Sequence, residues 1–479
     1  MPNTKKTKIV ATLGPAINNR ETLKQLMIAG VNVFRINFSH ADYEEVTKIV
    51  ATIRELNEEM GFHVACLADL QGPKLRVGVM AEGVNLAIGD VFTFTTEELA
   101  VGTQEKAFMT YKNFPRDVKA GEQILVDDGK LLFEVTATDG VANVTTKVLR
   151  GGPLKSKKGV NLPNTAISLP ALTEKDIKDA IFALSLQVDW MALSFVRNAQ
   201  DLNDIHKLIE ENSDTSVYRT RVISKIEKPE AIENIDAIIA NTDGLMVARG
   251  DLGVEIPMAE VPLVQKMLVR KSKEAKIPVI IATQMMETMI ENQVPTRAEV
   301  NDVANSIMDG ADAVMLSGET SVGAFPIEVI QKMREIIIGV EHSELIDVPR
   351  SAPAMNDPER YISDAVCHQA AVMADNIKAK VISTLTYSGY TAFQISAWRP
   401  KSHILAFSPN KRVLAMLNLF WGVKARYYDN ETSTHKTINE INEIALERGV
   451  AKKGDLIINL NSTPVKEKGK VNTLRVTRV

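Results

Sequence analysis

The chain has 479 residues, enough for about three domains or for one large barrel with added domains. Apolar residues make up 45% and charged residues 24%, a balance that excludes a disordered or fibrous protein. With 56 basic and 60 acidic side chains the net charge is −4, which excludes a broad basic surface for nucleic acid or membranes. No apolar run approaches the ~18 residues of a membrane span. Cys66 and Cys367 lie far apart in apolar segments, so we expect a cytoplasmic protein with reduced thiols.

Eight short apolar runs recur along the chain, and most are followed by a helical pattern. They occupy residues 8–13, 31–38, 63–70, 188–195, 222–226, 244–248, 278–282 and 313–316. Such runs are typical of strands that are buried on both faces of a parallel sheet. Eight strand–helix units predict a (β/α)8 barrel, and an open doubly wound sheet is the alternative that the pattern leaves open.

Two of the segments between the runs carry strong helix signals. Thr296 and Glu299 have the spacing of a capping box, and Gly310 is a stop signal for the helix that they begin. Thr173 precedes a second predicted helix, whose apolar stripe consists of Ile177, Ala180, Ile181 and Leu184.

The strand–helix spacing breaks between the third and fourth units. Period-2 alternation replaces the helical period there, and Asp128-Gly129 and Asp139-Gly140 are hairpin signals. After residue 356, four apolar runs alternate with helical segments, and Pro353 and Pro358 bracket a predicted linker. We therefore predict a barrel of residues 1–72 and 170–345, an inserted β-rich lid of residues 73–169, and a C-terminal α/β domain of residues 355–479.

Polar side chains occupy the ends of several predicted barrel strands, where the active site of such a barrel is built. Lys225 and Glu227 follow one run and should both point to the barrel axis, because side chains alternate along a strand. Asp251 follows the next run and lies beside Gly250, which lets a ligand approach the backbone. Two carboxylates without neighbouring Cys or His favour Mg²⁺, or Mn²⁺, over zinc. A buried structural ion pair is the alternative for Lys225 and Glu227.

Further polar groups converge on the same predicted mouth. Arg35, Asn37 and Ser39 share one face of the second strand, a combination that suits phosphate and cation binding as well as an ordinary surface strand end. Thr283 ends the seventh strand, and Asp69 ends the third strand just before the inserted region. The convergence of so many charged groups and hydroxyls predicts an active site.

These segments resemble the signatures of the pyruvate kinase family over essentially the whole chain. The matching strings are KIVATLGP (8–15), RINFSH (35–40), DLQGPKLR (69–76), ISKIE (223–227), MVARGDLGVEIP (246–257), TQMME (283–287), PTRAE (295–299) and MLSGET (315–320). The resemblance implies a barrel, a mobile β lid and a C-terminal regulatory domain. It also implies transfer of a phosphoryl group from phosphoenolpyruvate to ADP, which gives pyruvate and ATP.

The resemblance also implies roles for individual residues. Arg35 would hold the transferring phosphate, and Glu227 and Asp251 would hold the Mg²⁺ ion. Lys225 would stabilise the charge that develops on the phosphoryl group and on the enolate. Gly250 and Thr283 would contact the substrate. The positions that match the family's nucleotide-binding residues are Asn37, Ser39, His40, Arg76 and Lys158.

One departure from the family pattern concerns monovalent cations. Many members hold K⁺ at positions that match Asn37, Ser39, Asp69 and the backbone of Leu70. Those members have glutamate where this chain has Lys74, and a K⁺-independent branch carries lysine there. An ammonium group in the pocket would replace the K⁺ charge, so we predict activity without K⁺. A lysine that points to solvent is the alternative.

The C-terminal domain has a candidate effector site, because hydroxyls and backbone N–H groups at a helix start can bind an anion. The candidate residues are Thr384, Thr386, Ser388, Gly389 and Thr391. A plain helix cap is the alternative, and the late loop, residues 461–469, lacks the glycine-rich pattern of family members that bind a sugar bisphosphate. The resemblance further implies a homotetramer. A Mg²⁺-dependent barrel lyase or aldolase and a non-enzymatic binding protein are the rival functions.

Overall fold

The computed structural model of the protein describes residues 5–163, 165–343, 358–430, 433–463 and 470–479. The predicted linker beginning at Pro353, the predicted domain limits at 345 and 355, and residues 464–469 of the late loop lie outside this described part. The limits of the three domains therefore stay predictions. Within the described ranges, no helix is long and apolar enough to cross a membrane.

The elements of the first 163 residues form two groups. Three parallel strands and two helices come first: β1 (Lys8–Thr12), α1 (Arg20–Ala29), β2 (Val33–Asn37), α2 (Tyr43–Met60) and β3 (Ala65–Asp69). The inserted region follows with β4 (Asn85–Leu86), β5 (Val91–Thr95), β6 (Lys106–Phe108), α3 (Phe114–Asp117), β7 (Gln123–Val126), β8 (Leu131–Thr138), β9 (Asn143–Arg150), β10 (Gly152–Pro153) and β11 (Val160–Asn161).

The remaining elements also form two groups. The chain continues with α4 (Glu174–Ser185), β12 (Trp190–Leu193), α5 (Ala199–Asn212), β13 (Arg221–Ile226), α6 (Pro229–Glu233), α7 (Ile235–Asn241), β14 (Gly244–Ala248), α8 (Arg249–Glu255), α9 (Val261–Glu274), β15 (Val279–Ala282), a 3₁₀ helix (Glu287–Ile290), α10 (Arg297–Asp309), β16 (Ala313–Leu316), α11 (Gly318–Ser321) and α12 (Pro326–Glu341). The last group is α13 (Pro358–Asn376), β17 (Val381–Leu385), α14 (Tyr390–Ala397), β18 (His403–Ser408), α15 (Lys411–Leu417), β19 (Val423–Tyr427), α16 (Thr434–Glu447), β20 (Leu456–Asn461) and β21 (Thr473–Arg478).

Eight parallel strands close into a barrel in the order β1-β16-β15-β14-β13-β12-β3-β2. Their residues are apolar and buried almost throughout, because one face of each strand lies in the barrel interior and the other face packs against helices. All eight predicted runs contain a barrel strand. The predicted (β/α)8 barrel is therefore confirmed, and the open-sheet alternative is wrong.

The helix α10 begins and ends as predicted, whereas the buried face of α4 differs from the prediction. Thr296 caps α10 in a capping box with Glu299, and Gly310 ends it at a φ of 103°. In α4, Ile177 and Ile181 are 38% and 41% exposed, although the apolar stripe predicted them to be buried.

Two carboxylates take the place of these isoleucines on the buried face of α4. Asp176 accepts a hydrogen bond from the Gly72 backbone, and Asp179 accepts one from the Tyr43 hydroxyl. Because each buried carboxylate has partners, its burial is tolerated, and an apolar stripe alone could not predict this orientation.

The inserted region is a β domain with its own aromatic core. Six strands pair in the order β11-β7-β8-β9-β5-β6, and β4 pairs separately with β10. The predicted hairpin turns are present, because β7 pairs with β8 and β8 pairs with β9, all antiparallel. Phe92, Phe94 and Phe133 pack together at ring-centroid distances of 5.1–5.7 Å.

The C-terminal domain packs on the end of the barrel where the strands begin. Its sheet has the order β19-β18-β17-β20-β21, and β21 is an antiparallel edge strand that the sequence pattern did not predict. The Trp190 indole donates to the Met416 carbonyl at 3.2 Å, and Arg399 forms an ion pair with Asp312 at 2.9 Å. The opposite end of the barrel, where the strands finish, is therefore free to face the inserted domain.

Candidate active site

The charged residues predicted for the barrel mouth come from strands that are neighbours around the barrel. β2, β3, β12, β13 and β14 follow one another in the barrel order, although the inserted domain separates β3 from β12 in sequence. Parallel pairing aligns Asn37 with Asp69 and Lys225 with Met246. The carboxyl ends of these strands therefore meet at one edge, where their polar side chains come into contact.

Asp69 joins two cations at the centre of the mouth. Its Oδ2 accepts a hydrogen bond from Arg35 Nε at 2.6 Å, and its Oδ1 lies 3.2 Å from Lys225 Nζ. The Asp69 side chain is 1% exposed, and those of Arg35 and Lys225 are 11% exposed. Arg35 also donates to Thr12 Oγ1 at 3.2 Å. The carboxylate thus holds both cations at one point and offsets their mutual repulsion.

Lys225 also has two further acceptors. Its ammonium lies 3.0 Å from Glu227 Oε1 and donates to Ser194 Oγ at 2.6 Å. The Ser194 hydroxyl donates in turn to the Leu70 carbonyl at 2.7 Å, so its lone pairs face the ammonium. The ammonium thus donates one hydrogen bond, to Ser194, and forms ion pairs with Asp69 and Glu227. The position of the charge is therefore fixed from three directions.

The charges of this cluster shift one another's pKa values. Burial opposes the charged form of Lys225, but the Asp69 and Glu227 carboxylates outweigh it and raise the pKa of that ammonium. Burial would raise the pKa of Asp69, yet Lys225 and Arg35 bring it below its ordinary value. Burial raises the pKa of Glu227, Lys225 opposes this rise, and the nearby Asp251 carboxylate adds to it. A further cation beside Glu227 would therefore favour its charged form.

Glu227 and Asp251 fit the donor set of a hard divalent ion. Glu227 Oε2 accepts from the Phe195 backbone at 2.7 Å, which fixes the carboxylate, and Asp251 lies in the first turn of α8. Within the described residues, the Asp251 carboxylate makes no hydrogen bond or ion pair, and no group of three or more His, Cys, Asp or Glu could hold a metal. Two carboxylates with space for water and substrate oxygens suit Mg²⁺, which keeps several non-protein ligands.

Thr283 adopts a backbone conformation that is rare for a β-branched residue. Its φ is 70°, and its Oγ1 accepts from the Gly250 backbone at 2.7 Å while donating to the Ala282 carbonyl at 2.6 Å. Arg249 supports the turn by donating to the Thr283 carbonyl at 2.7 Å. Such a residue stores about 1–3 kcal/mol of strain. The surrounding contacts hold Thr283 and Gly250 together at the mouth.

A cleft of about 410 Å³ lies between the barrel mouth and the inserted domain. Lys74, Arg76, Lys158 and Asp251 line it, so residues from both domains meet there. Arg76 donates to the Lys157 carbonyl at 3.0 Å, and Lys158 pairs with Asp127 at 2.9 Å. The other predicted nucleotide-binding residues do not line this cleft. They are Asn37, the last residue of β2, and Ser39 and His40, which follow that strand.

Family models of known proteins match most of the chain. The model for the pyruvate kinase barrel domain matches residues 4–330, and the model for the pyruvate kinase alpha/beta domain matches residues 364–477. The chain belongs to the pyruvate kinase family. It is therefore a phosphotransferase enzyme, and the family reaction uses phosphoenolpyruvate and ADP. Neither rival function is needed to explain the barrel mouth.

Individual pyruvate kinases are similar to this chain over nearly its full length. A pyruvate kinase of Geobacillus stearothermophilus is 42% identical over 478 residues, which cover 98% of this chain and 80% of that protein. One of Mycobacterium tuberculosis is 40% identical over 477 residues, which cover 99% of each chain. The crystal structure of a pyruvate kinase from Cryptosporidium parvum has a TM-score of 0.90 and 33% identity, covering 99% of this chain and 96% of that one.

Lys74 and Asn37 both contact Ser39 at the predicted monovalent-cation pocket. Lys74 Nζ lies 3.4 Å from Ser39 Oγ, and the Asn37 side-chain oxygen accepts from the Ser39 backbone at 3.2 Å. The Leu70 carbonyl already accepts the Ser194 hydroxyl. Burial lowers the pKa of Lys74, while the Asp251 carboxylate raises it. The Lys74 ammonium thus contacts Ser39 while the residue as a whole is exposed, and its replacement of K⁺ stays a prediction.

The predicted effector residues surround the turn between β17 and α14. Gly389 has a φ of 88° and donates its N–H to Thr386 Oγ1 at 2.9 Å. Thr386, Ser388 and Thr391 line a small cleft of about 60 Å³, whereas Thr384 and Gly389 do not. The described residues thus bring together three of the five candidates.

Sequence reasoning missed Ser194 and assigned Asp69 only to the cation pocket. Ser194 follows the apolar strand β12 and is 1% exposed, so its sequence context resembles the end of a buried strand. Its position between Leu70 and Lys225 depends on the pairing of β12 with β3 and β13. The one available signal was that Ser194 is a polar residue at the end of a barrel strand, as the predicted site residues at the other strand ends are.

Proposed function

We propose that this chain transfers the phosphoryl group of phosphoenolpyruvate to ADP, and that the cluster of Arg35, Asp69, Lys225 and Glu227 performs the transfer. The observation that carries this proposal is the ammonium of Lys225, which is 11% exposed, forms ion pairs with two carboxylates and donates a hydrogen bond to a serine. Phosphoryl transfer depends mainly on positioning and on preorganised charge, and this cluster provides both.

In the proposed step, the bond between phosphorus and the enol oxygen breaks while a β-phosphate oxygen of ADP forms the new bond. Arg35 holds the transferring phosphate, because Asp69 accepts from its Nε and Thr12 from its Nη1, which fixes the guanidinium and leaves Nη2 at the mouth. Lys225 stabilises the charge on the phosphoryl group and on the enolate oxygen left behind. Gly250 and Thr283 position the substrate. The enolate then takes up a proton at carbon, which gives pyruvate.

Glu227 and Asp251 would hold the divalent ion, which when bound neutralises phosphate and carboxylate charge on the substrate. The effect of the Asp251 carboxylate on the pKa of Glu227 supports their acting as a pair. Arg76 and Lys158, with Asn37, Ser39 and His40, are the proposed nucleotide-binding residues. The position of Arg76 and Lys158 beside Asp251 in the interdomain cleft supports closure of the lid over ADP.

The test is an assay of pyruvate formation coupled to lactate dehydrogenase. We expect consumption of phosphoenolpyruvate to require both ADP and a divalent ion, with one ATP formed for each pyruvate. A chelator should abolish turnover, and excess Mg²⁺ or Mn²⁺ should restore it. Consumption of phosphoenolpyruvate without ADP would overturn the proposal in favour of lyase chemistry.

We further propose that the enzyme does not require K⁺, because the Lys74 ammonium supplies the charge of that ion. The contact between Lys74 and Ser39 supports this proposal. Turnover should be unchanged when tetramethylammonium replaces K⁺ at constant ionic strength. Loss of activity on that replacement would contradict the assignment of Lys74.

The substitution Lys74→Glu provides a sharper test of the same proposal. It removes the internal cation and restores a carboxylate, so turnover without K⁺ should fall about tenfold or more and recover when K⁺ is added. Lys48→Glu is the matched control, because Lys48 is exposed on α2 and the charge change is the same. A Lys74→Glu enzyme that is indifferent to K⁺ would refute the charge-replacement argument.

We propose that a phosphorylated metabolite regulates the enzyme by binding the turn at Thr384, Thr386, Ser388, Gly389 and Thr391. The left-handed Gly389 and the small polar cleft support a phosphate-sized site. Screening phosphorylated metabolites at low phosphoenolpyruvate should find an activator whose effect Thr386→Val abolishes. An activator that acts equally on the wild type and on this variant would place the effector elsewhere.

The proposed assembly is a homotetramer, as the family resemblance implies. Large apolar side chains that a single chain leaves exposed, such as Met258, Leu263 and Val294, support burial against further copies. Light scattering after size exclusion should give four times the mass of the chain. The free, buried state of Cys66 and Cys367 supports the proposed cytoplasmic location.

A further inference from the structure

A buried glutamate lies where the inserted domain meets the barrel mouth. Glu255 is the last residue of α8, and its side chain is 0% exposed. Its Oε1 accepts a hydrogen bond from Asn161 Nδ2, in the strand β11, at 2.7 Å. The same oxygen accepts another from Lys228 Nζ at 2.7 Å. One carboxylate oxygen therefore joins the inserted domain to two segments of the barrel.

On the barrel side, Glu255 contacts the segments that carry the two predicted divalent-ion carboxylates. Asp251 lies four residues earlier in α8, a spacing that places both carboxylates on one face of the helix. Lys228 directly follows Glu227 in the chain. The Lys228 ammonium lies 6.0 Å from the centre of the Phe195 ring, and the Phe195 backbone donates to Glu227. Glu255 is thus connected to Asp251 through α8 and to Glu227 through Lys228.

On the side of the inserted domain, Asn161 belongs to the segment that carries Lys158. Gly159 pairs with Arg76 in an antiparallel bridge, and the Lys158 carbonyl accepts from the Val77 backbone at 2.9 Å. Arg76 and Lys158 are the proposed nucleotide-binding residues of this domain. Because backbone hydrogen bonds hold the two segments together, a contact at Asn161 also fixes the place of Arg76 and Lys158 relative to the barrel.

The position of the Glu255 carboxylate is costly for stability. A negative charge at the C-terminal end of a helix opposes the helix dipole, and carboxylates four residues apart on a helix repel each other. In the part of the chain that the structure describes, nothing donates a hydrogen bond to the buried Glu255 Oε2. A buried acceptor without a donor is unfavourable, and Lys228 offsets only the charge. Such local costs are typical of functional sites.

We propose that Glu255 is a positioning residue for nucleotide binding, which sets the distance between the inserted domain and Asp251 through its bond to Asn161. This inference rests on the proposed function, in which Arg76 and Lys158 bind ADP. Those two cations line one cleft with Asp251 when the bond is made. Loss of the bond lets the inserted domain move away from the barrel. ADP should then bind more weakly, whereas phosphoenolpyruvate, which the barrel residues hold, should not.

The test is Asn161→Asp, which places a second carboxylate against Glu255. Because the two negative charges repel each other, the KM for ADP should rise about tenfold or more. The Kd for ADP from isothermal titration calorimetry on the full-length protein should rise equally. The KM for phosphoenolpyruvate should stay within about twofold of the wild type.

Asn143→Asp is the matched control within the same domain. Asn143 Nδ2, in the strand β9, donates to Asp139 Oδ2 at 2.9 Å, and neither residue lines the cleft. The control therefore introduces the same kind of carboxylate pair at a distance from the nucleotide, and it should bind ADP as the wild type does. An equal rise of the Kd in this control would overturn the proposal, because damage to the inserted domain would then explain the effect.

Reversing the direction of the hydrogen bond should restore nucleotide binding. In the double variant Asn161→Asp with Glu255→Gln, the introduced amide donates to the introduced carboxylate, and that carboxylate can pair with Lys228. We expect the Kd for ADP to return to within about threefold of the wild type. Failure of this rescue would overturn the proposal, as would an unchanged Kd in Asn161→Asp alone.

Arg76→Gln distinguishes failure of this inference from failure of the proposed function. If Arg76 binds ADP, this variant should weaken ADP about tenfold in the same titration. Weaker binding by Arg76→Gln together with unchanged binding by Asn161→Asp would overturn the role of Glu255 alone. Unchanged binding by Arg76→Gln would overturn the nucleotide assignment on which the inference rests.

Discussion

Replacing Lys225 by methionine tests the central feature of the barrel mouth. Methionine keeps the unbranched apolar stem and removes the ammonium, which lies 3.0 Å from Glu227 and 3.2 Å from Asp69. At an effective dielectric constant of about 20, a charge pair 3.0 Å apart interacts by about 5.5 kcal/mol. Much of that energy only offsets the cost of removing the two charges from water. Breaking such a buried pair therefore costs about 3–5 kcal/mol.

The loss of the ammonium should affect catalysis more than substrate binding. Removing one preorganised charge from a phosphoryl-transfer site typically lowers kcat about 10²–10³-fold. We expect this loss in Lys225→Met at saturating Mg²⁺, with little change in KM for phosphoenolpyruvate, because Arg35 and the divalent ion still hold the substrate. The assay is steady-state pyruvate formation. Turnover within about tenfold of the wild type would refute the role of Lys225.

Thermal unfolding separates this chemical effect from structural damage. In Lys225→Met, Asp69 keeps Arg35 as a partner, whereas Glu227 loses its cation. Added Mg²⁺ should therefore raise the Tm of the variant more than that of the wild type. Lys8→Met is the matched control, because Lys8 is a buried barrel lysine at the opposite end that donates to the Val423 carbonyl at 2.7 Å. A similar loss of kcat in that control would show that general destabilisation explains the result.

Two further predictions concern the environment of Lys225 and the response to acid. Ser194→Cys keeps the size of the side chain but gives Lys225 a weak acceptor, so kcat should fall about tenfold or more at unchanged KM. The control is Ser224→Ala, which changes a buried serine beside Lys225. An equal fall in kcat in both variants would contradict the prediction. Burial lowers the pKa of both His63 and His403 from 6.5 to about 4, so these rings are neutral in the fold and take up protons on unfolding. The contribution of these two rings to the Tm should therefore be constant above pH 6.5 and fall progressively between pH 6.5 and 4. The slope in that window should lessen in His63→Gln and His403→Gln, and an unchanged slope would contradict the assignment.

The barrel was predictable from the sequence because its strands are short, apolar and regularly spaced. A run such as 244–248 is buried at every position, and the strand β14 has the same bounds. The alternation rule also placed Lys225 and Glu227 on one face, and their side chains are in contact. These features depend on the order of neighbouring residues, so a single sequence is enough to predict them.

Features that depend on pairing between distant segments were not predictable in the same way. The antiparallel strand β21 carries no strong apolar pattern and is held by β20 along six residue pairs. Ile177 and Ile181 follow a helical period, yet α4 buries Asp176 and Asp179 because distant residues, Gly72 and Tyr43, donate to them. In each case the residues that determine the structure lie far away in sequence. Local periodicity therefore predicts the wrong buried face for α4 and does not predict the strand β21.

The position of Asp69 shows why the site needs the closed barrel. Arg35 and Lys225 are 190 residues apart, and two cations alone in a nearly dry mouth would repel each other. β3 lies between β2 and β12, so its terminal carboxylate reaches Arg35 on one side and Lys225 on the other. One buried anion thus lets two cations converge on a phosphate without a large cost in stability. The order of the strands around the barrel determines that arrangement, and no local motif does.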